Sequence, residues 1–203
     1  MKQMITAAVL ATGLATGANA AVVNGSFEDP GTFNGNFTTF GAGSFALNGW
    51  TINSGSIDLI NTYWENSDGF YSINLDGASP GSISQTMTGL SVGKSYKLAF
   101  DMAANTDGAN DVVGVTAAVG RDFQSFTFDG TGNSRNDMGW LTYTMEFTAT
   151  AQSMLLSFSS DSPSGPYGAA LDNISVTAVP LPASGLLLLG ALGGLALRSR
   201  KRA

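Results

Sequence analysis

The chain of 203 residues contains no cysteine and no histidine. The first absence removes disulfides and thiol chemistry; the second removes imidazole bases, histidine-dependent triads and His-ligated zinc sites. Carboxylate, hydroxyl, Lys and Tyr chemistry is what remains, and stability has to come from packing or from a bound metal. Positive charge is nearly as scarce. Of nine basic residues, Lys2 opens the chain and Arg198, Arg200, Lys201 and Arg202 close it, leaving Lys94, Lys97, Arg121 and Arg135 in between. All fifteen carboxylates, from Glu28 to Asp172, fall in that middle segment, so four cations face fifteen anions and its formal charge is −11. Such a surface repels phosphate backbones and anionic lipid, which argues against nucleic-acid binding and suits divalent cations or neutral sugars better.

Convincing amphipathic helices are missing from the same segment. Its apolar residues recur at period two: Tyr96, Leu98, Phe100 and Met102 share one face of SYKLAFDM, and Leu141, Tyr143, Met145 and Phe147 share one face of LTYTMEF. Further strands are expected within 21–27, 49–60, 70–75, 82–88, 111–119, 123–128, 153–159 and 171–178, about ten in all. Asp-Gly, Pro-Gly and Gly-Pro pairs separate many of them. The pattern predicts an all-β fold, two packed antiparallel sheets in one domain. Residues 31–45, rich in Gly, Asn and Phe, read as a long loop after the first strand.

The two ends read differently. MKQMITAAVLATGLATGANA (1–20) has a basic start, an apolar stretch and a small-x-small finish, the layout of a signal peptide cut after Ala20. At the other end Val179, Pro180, Leu181, Pro182 and Ala183 precede an apolar run and the basic finish. From Ala183 to Leu197 a helix would span about 22 Å against a hydrocarbon core of about 30 Å. A temporary membrane hold explains that length better than a permanent anchor. The expected organisation is a signal peptide (1–20), a β-sandwich (21–178) and a sorting tail (179–203).

NGSFEDP (24–30), GWTINSGSIDLINTYWENSDGFYSINLDGASPGSISQT (49–86), YKLAFDMAANTDG (96–108), MGWLTYTMEFTA (138–149) and YGAALDNISV (167–176) together resemble the bacterial choice-of-anchor C family, itself similar to the plant cell-wall-associated family of galactose-binding-like jelly rolls. The tail resembles the VPLPA variant of the PEP-CTERM sorting signal. These resemblances imply a jelly roll, processing by an exosortase in Gram-negative bacteria that make exopolysaccharide, and delivery to the surface or extracellular matrix.

In carbohydrate-binding jelly rolls of similar sequence a first-strand Glu and a last-strand Asp hold a structural calcium, which implies Glu28 and Asp172 here. Independently, two carboxylates brought together by neighbouring strands call for a cation, and Ca²⁺ takes oxygen ligands; the plainer alternative is that Glu28 caps a turn and Asp172 binds local amides. The loop AANTDGAND (103–111) lacks the ligand spacing of an EF-hand and reads as an Asp-Gly turn. Tyr63, Trp64 and Tyr167, next to loops, are candidates for stacking on sugar rings, against a core position that large aromatics usually take. Asp58, Glu65 and Asp76 are acidic enough for a glycosidase, but no spacing singles out a pair, and no catalytic motif is matched. The expected function is binding of exopolysaccharide or cell-wall glycan without catalysis; a purely adhesive matrix protein and, more remotely, a glycan hydrolase stay open.

Overall fold

The computed structural model describes residues 22–31, 33, 35–108 and 112–180. The expected signal peptide and the tail from Leu181 onward, including Leu181, Pro182 and Ala183 of the sorting motif, lie outside them.

Eleven strands are present: β1 (Phe37–Gly41), β2 (Thr51–Ser54), β3 (Ser56–Ile60), β4 (Ser72–Asn74), β5 (Ser82–Thr88), β6 (Ser95–Ala104), β7 (Val112–Val119), β8 (Asp122–Asp129), β9 (Leu141–Thr148), β10 (Ser153–Ser160) and β11 (Ala169–Ala178). They form a six-stranded sheet, β1-β3-β4-β11-β6-β9, and a five-stranded sheet, β2-β5-β10-β7-β8, with every named pair antiparallel. The protein is an all-β jelly-roll sandwich, as its period-two patterning predicts.

Alternation explains the core. Leu59, Ile73, Leu171 and Met102 are register partners across four strands of the larger sheet, all fully buried against the smaller one. Val113, Val115, Ala117 and Val119 do the same from β7. Between the sheets Phe100 meets Phe126 and Phe158, each at 5.1 Å between ring centroids, and Trp50 bridges Phe158 to Phe27. With no disulfide to help, this apolar filling supplies the main driving force for folding.

Three expected elements change. Residues 21–27 do not form a strand in their described part: Asn24 and Phe27 have φ of 51° and 60°, a backbone that breaks a ladder. The segment still lies beside the last strand, because the Gly25 carbonyl accepts the Ile174 amide, and a Cβ on Gly25 would sit 2.0 Å from the Ile174 oxygen. Conversely, the stretch 31–45 holds β1, whose Phe37, Thr38, Thr39 and Phe40 pair with Ile60, Leu59, Asp58 and Ile57. Its β-prone Phe and Thr outweigh the glycines around them. The expected strand at 49–60, GWTI with GSIDLI, is two strands, split at Gly55, where φ is 56°.

The sandwich has two distinct ends. At one, Ala104 pairs with Ala169, and loops 76–81, 105–108 and 163–168 meet. At the other, Tyr96 pairs with Ala178, and the chain leaves β11 with the Val179 amide bonded to the Ser95 carbonyl.

Candidate functional site

The outward face of the six-stranded sheet is polar by alternation, with Asp58, Ser72, Asn74, Asp101 and Asp172 along its strands, yet all five are buried. The cover is the segment 61–71. A polar face under a lid needs hydrogen bonds for the groups it buries; the segment supplies them to Asp172, Ser72 and, in part, Asp101, while Asp58 is bonded by Thr39 and Asn74, and Asn74 by the Pro166 carbonyl. Asp172 Oδ2 accepts the amides of Ser67 (3.0 Å) and Asp68 (2.9 Å), and its Oδ1 accepts the amide of Asn173. Asp101 accepts the Ser67, Thr142 and Asn173 side chains. The Trp64 indole donates to Ser72 Oγ, which donates to Asn66. From the outer side Glu28 Oε1 accepts the amides of Phe70 (2.7 Å) and Tyr71 (2.8 Å).

Glu28 and Asp172 therefore grip one loop from two sides. N–H groups are anion partners and do not ligate cations, so the donors around this pair do not fit the calcium that the jelly-roll likeness implies. Among the described residues no group of three or more acidic side chains converges as a ligand set either.

Beside the lid lies a groove of ≈ 270 Å³, at the small end of ligand pockets. Its lining brings together all three sequence candidates, Tyr63, Trp64 and Tyr167, with Phe37, Asp58 and Asn105 among the others. Trp64 belongs mainly to the core, at 5% exposure, and offers only part of a wall. Tyr63 packs edge-on against Phe37 at 5.2 Å and carries the Arg135 guanidinium 3.9 Å over its ring. Tyr167 is 41% exposed on a turn that Gly165 (φ 93°) shapes. The turn is pinned from beneath, since the Pro166 carbonyl accepts Asn74 Nδ2 at 2.8 Å.

The groove's carboxyls differ in environment. Asp107 receives two bonds from Arg135, both 2.7 Å, and one from the Tyr63 hydroxyl; the guanidinium above all holds its carboxyl below the ordinary range. Asp58 accepts Thr39 and Asn74, and burial pushes it up against those bonds. Burial likewise raises Asp76, which sits behind Gly168 with neither oxygen in a well-formed hydrogen bond although Ser160 and Ser162 approach it. Asp172 is pushed up to about 7, burial outweighing its amide donors. Of the three acids that a glycosidase reading considers, only Asp58 lines the groove; Glu65 accepts the Met138 amide, and Asp76 is buried outside the groove lining.

Sequence reasoning missed Phe37, Asn105 and Arg135. Phe37 was hidden in a segment read as loop. Arg135 carried a usable signal, being one of only four cations between the ends.

Residues 20–177 match the family described as protein of unknown function DUF642. The chain belongs to this family. A relative by sequence is halomucin of Haloquadratum walsbyi (strain DSM 16790 / HBSQ001), 35% identical over 159 residues; the match takes in 76% of this chain and 2% of halomucin's length. Among solved structures, an arabinose-bound GH51 α-L-arabinofuranosidase aligns with a TM-score of 0.51 at 14% identity, over 83% of this chain and 28% of that one. The CBM22-1 xylan-binding domain of Paenibacillus barcinonensis Xyn10C aligns with 0.46 at 16% identity, over 70% and 91% respectively. At such identities the structural likeness of the former speaks for the sandwich fold alone.

Two outcomes follow from the carboxyls. In the unfolded chain Asp172 titrates near 3.8, so between there and about 7 the folded protein holds a proton that the unfolded chain has lost. Its stabilising contribution is complete at acid pH and disappears as pH rises through about 7, and Asp58 and Asp76 act in the same direction. Melting temperature should fall from about pH 5 to pH 8. Asp172→Asn, which keeps an acceptor for the Ser67 and Asp68 amides, should flatten that fall by at most about 4 kcal/mol; an unchanged pH profile in the variant would refute the assignment. Scanning calorimetry in EDTA and in calcium should give coincident melting, and a drop of several degrees in EDTA would restore a cation at Glu28 and Asp172.

Proposed function

We propose that this chain is an exported, non-catalytic protein of the cell surface or extracellular matrix that binds polysaccharide in the groove at Tyr63, Trp64 and Tyr167. The observation that carries the reading is the groove itself. Aromatic surface from Phe37, Tyr63 and Tyr167 stands beside oxygen and nitrogen groups of Asp58, Asn105 and Asp107, the pairing that a sugar ring needs: an apolar face to stack and hydroxyls to bond. The likeness of the chain ends to a signal peptide and a VPLPA sorting tail supports export, a transient hold in the inner membrane and release or transfer by an exosortase-type protease. The segment resemblance to choice-of-anchor C proteins points the same way.

A hydrolase reading has one specific observation behind it, two groove carboxyls shifted in opposite directions. Both are engaged, however. Asp107 is neutralised by Arg135, and Asp58 is bonded to Thr39 and Asn74. Neither is presented as a free acid or nucleophile, which favours binding over catalysis.

Retention of the purified protein on a glycan array, followed by titration calorimetry with the best glycan, tests the proposal. Tyr167→Ala should weaken binding about tenfold with an unchanged melting temperature. No retention on any glycan or on native matrix would favour a purely adhesive role, and release of reducing sugar lost in Asp58→Asn would establish a hydrolase. For the tail, mass spectrometry of the native surface-exposed product should show cleavage near Val179 to Ala183; an intact Arg198 to Arg202 would refute processing.

A further inference from the structure

The four cations of the middle segment are not scattered. Arg135 is spent at the groove, on Asp107. The other three lie toward the opposite end of the sandwich. Lys94 stands in the turn between β5 and β6, whose Gly93 amide bonds the Ala149 carbonyl; Arg121 stands in the turn between β7 and β8, whose Gly120 amide bonds the Leu155 carbonyl; Lys97 is the β6 residue paired with Thr177 near the end of β11. All three are exposed. The acids that share this end are Asp122, beside Arg121, and Glu146, opposite Lys97. Apolar side chains stand free there too: Val92 at 62%, Leu155 at 52% and Phe123 at 73% exposure. At this same end β11 finishes, and Val179 and Pro180 lead toward the apolar run and the basic residues 198–202.

We propose that this end, with Lys94, Lys97, Arg121 and Val92, is a docking surface for an anionic lipid headgroup layer, on which the domain stands while its tail is held in the membrane. The overall acidity of the domain does not oppose this. β11 has ten residues, and at ~3.3 Å per residue the groove end is about 30 Å away. Screening falls off over about 8 Å at physiological salt, so the phosphate layer senses the local cations and Val92 more than the carboxylates of the far end. Each basic residue near an anionic surface changes partitioning about fivefold. The arrangement also orients the protein, since the groove with Tyr167 then faces away from the membrane. The inference rests on the tail being a membrane hold, and the experiment separates the two.

Because the chain has no cysteine, Val92→Cys in the full chain takes a single environment-sensitive fluorophore; Thr131→Cys, in the loop after β8 at the groove end, is the control. The labelled chain is reconstituted into vesicles of phosphatidylcholine alone or with phosphatidylglycerol. With phosphatidylglycerol, the label at position 92 should shift to the blue and be quenched by headgroup-region quenchers, while the label at 131 stays in water. Combining Lys94→Glu, Lys97→Glu and Arg121→Glu should reduce the docked fraction by roughly 100-fold or more, at unchanged melting temperature. Equal solvent exposure at position 92 on both vesicle types, or a signal indifferent to the charge reversals, overturns the docking surface but leaves the tail reading standing. A chain that fails to remain with either vesicle overturns the tail reading and the docking together. Protection at position 92 that follows protein concentration rather than lipid assigns the face to a second copy and overturns the proposal.

Discussion

The segment 61–71 is held to the larger sheet by carboxylates that have nowhere else to go. Asp101 and Asp172 project from neighbouring strands as register partners on one face, fully or nearly removed from water, where an unpartnered charge costs several kcal/mol. The lid closes because its amides and hydroxyls are the donors within reach, and Glu28 fastens it from outside through Phe70 and Tyr71. The lid in turn places Tyr63 and Trp64. Without the polar stitching residues 66–71 lose their hold on the sheet, while Trp64 in the core and Tyr63 against Phe37 and Arg135 keep contacts of their own.

This arrangement also shows how so acidic a domain stays compact without disulfides. Its interior carboxyls avoid repelling one another in three different ways. Asp101 is surrounded by donors, Asp107 is paired with a guanidinium, and burial drives both Asp76, which lacks a proper partner, and Asp172, despite its amide donors, toward the neutral form. A cation is one more way of meeting the same requirement, which is why Glu28 and Asp172 suggested calcium. Backbone amides meet it here, at the expense of fixing the loop that provides them.

The sandwich was legible because a strand buried on one face writes its period into the sequence, as in Tyr96, Leu98, Phe100 and Met102. It was least legible where both faces are covered. All five residues of β3 are buried, and its Asp58 is held there by donors from the two flanking strands, Thr39 of β1 and Asn74 of β4. β1 was lost among glycines, while 21–27 looked like a strand and is bent by two residues at positive φ. For the groove, aromatic type and nearness to a loop were enough to single out Tyr63, Trp64 and Tyr167. Asn105 and Arg135 were not accessible that way, since they come from segments about 40 and 70 residues beyond Tyr63 and meet it only through the order of strands in the sheet.

The charge at the groove bears on what it can recognise. The guanidinium that flanks it, Arg135, is already committed, with both Arg135–Asp107 bonds at 2.7 Å and the cation lying over Tyr63. An acidic sugar arriving there would meet Asp58 and Asp107 with no uncommitted cation among the described residues of the lining to receive its carboxylate. A neutral ring meets the opposite situation, since its hydroxyl protons find carboxyl and amide oxygens ready to accept them while its less polar face lies on Tyr167. Like charges across an interface are costly even when the favourable contacts are modest. The acidity that opposes nucleic-acid binding by the whole domain thus acts again at the scale of the groove, where the proposed glycan binding would favour uncharged rings over acidic ones.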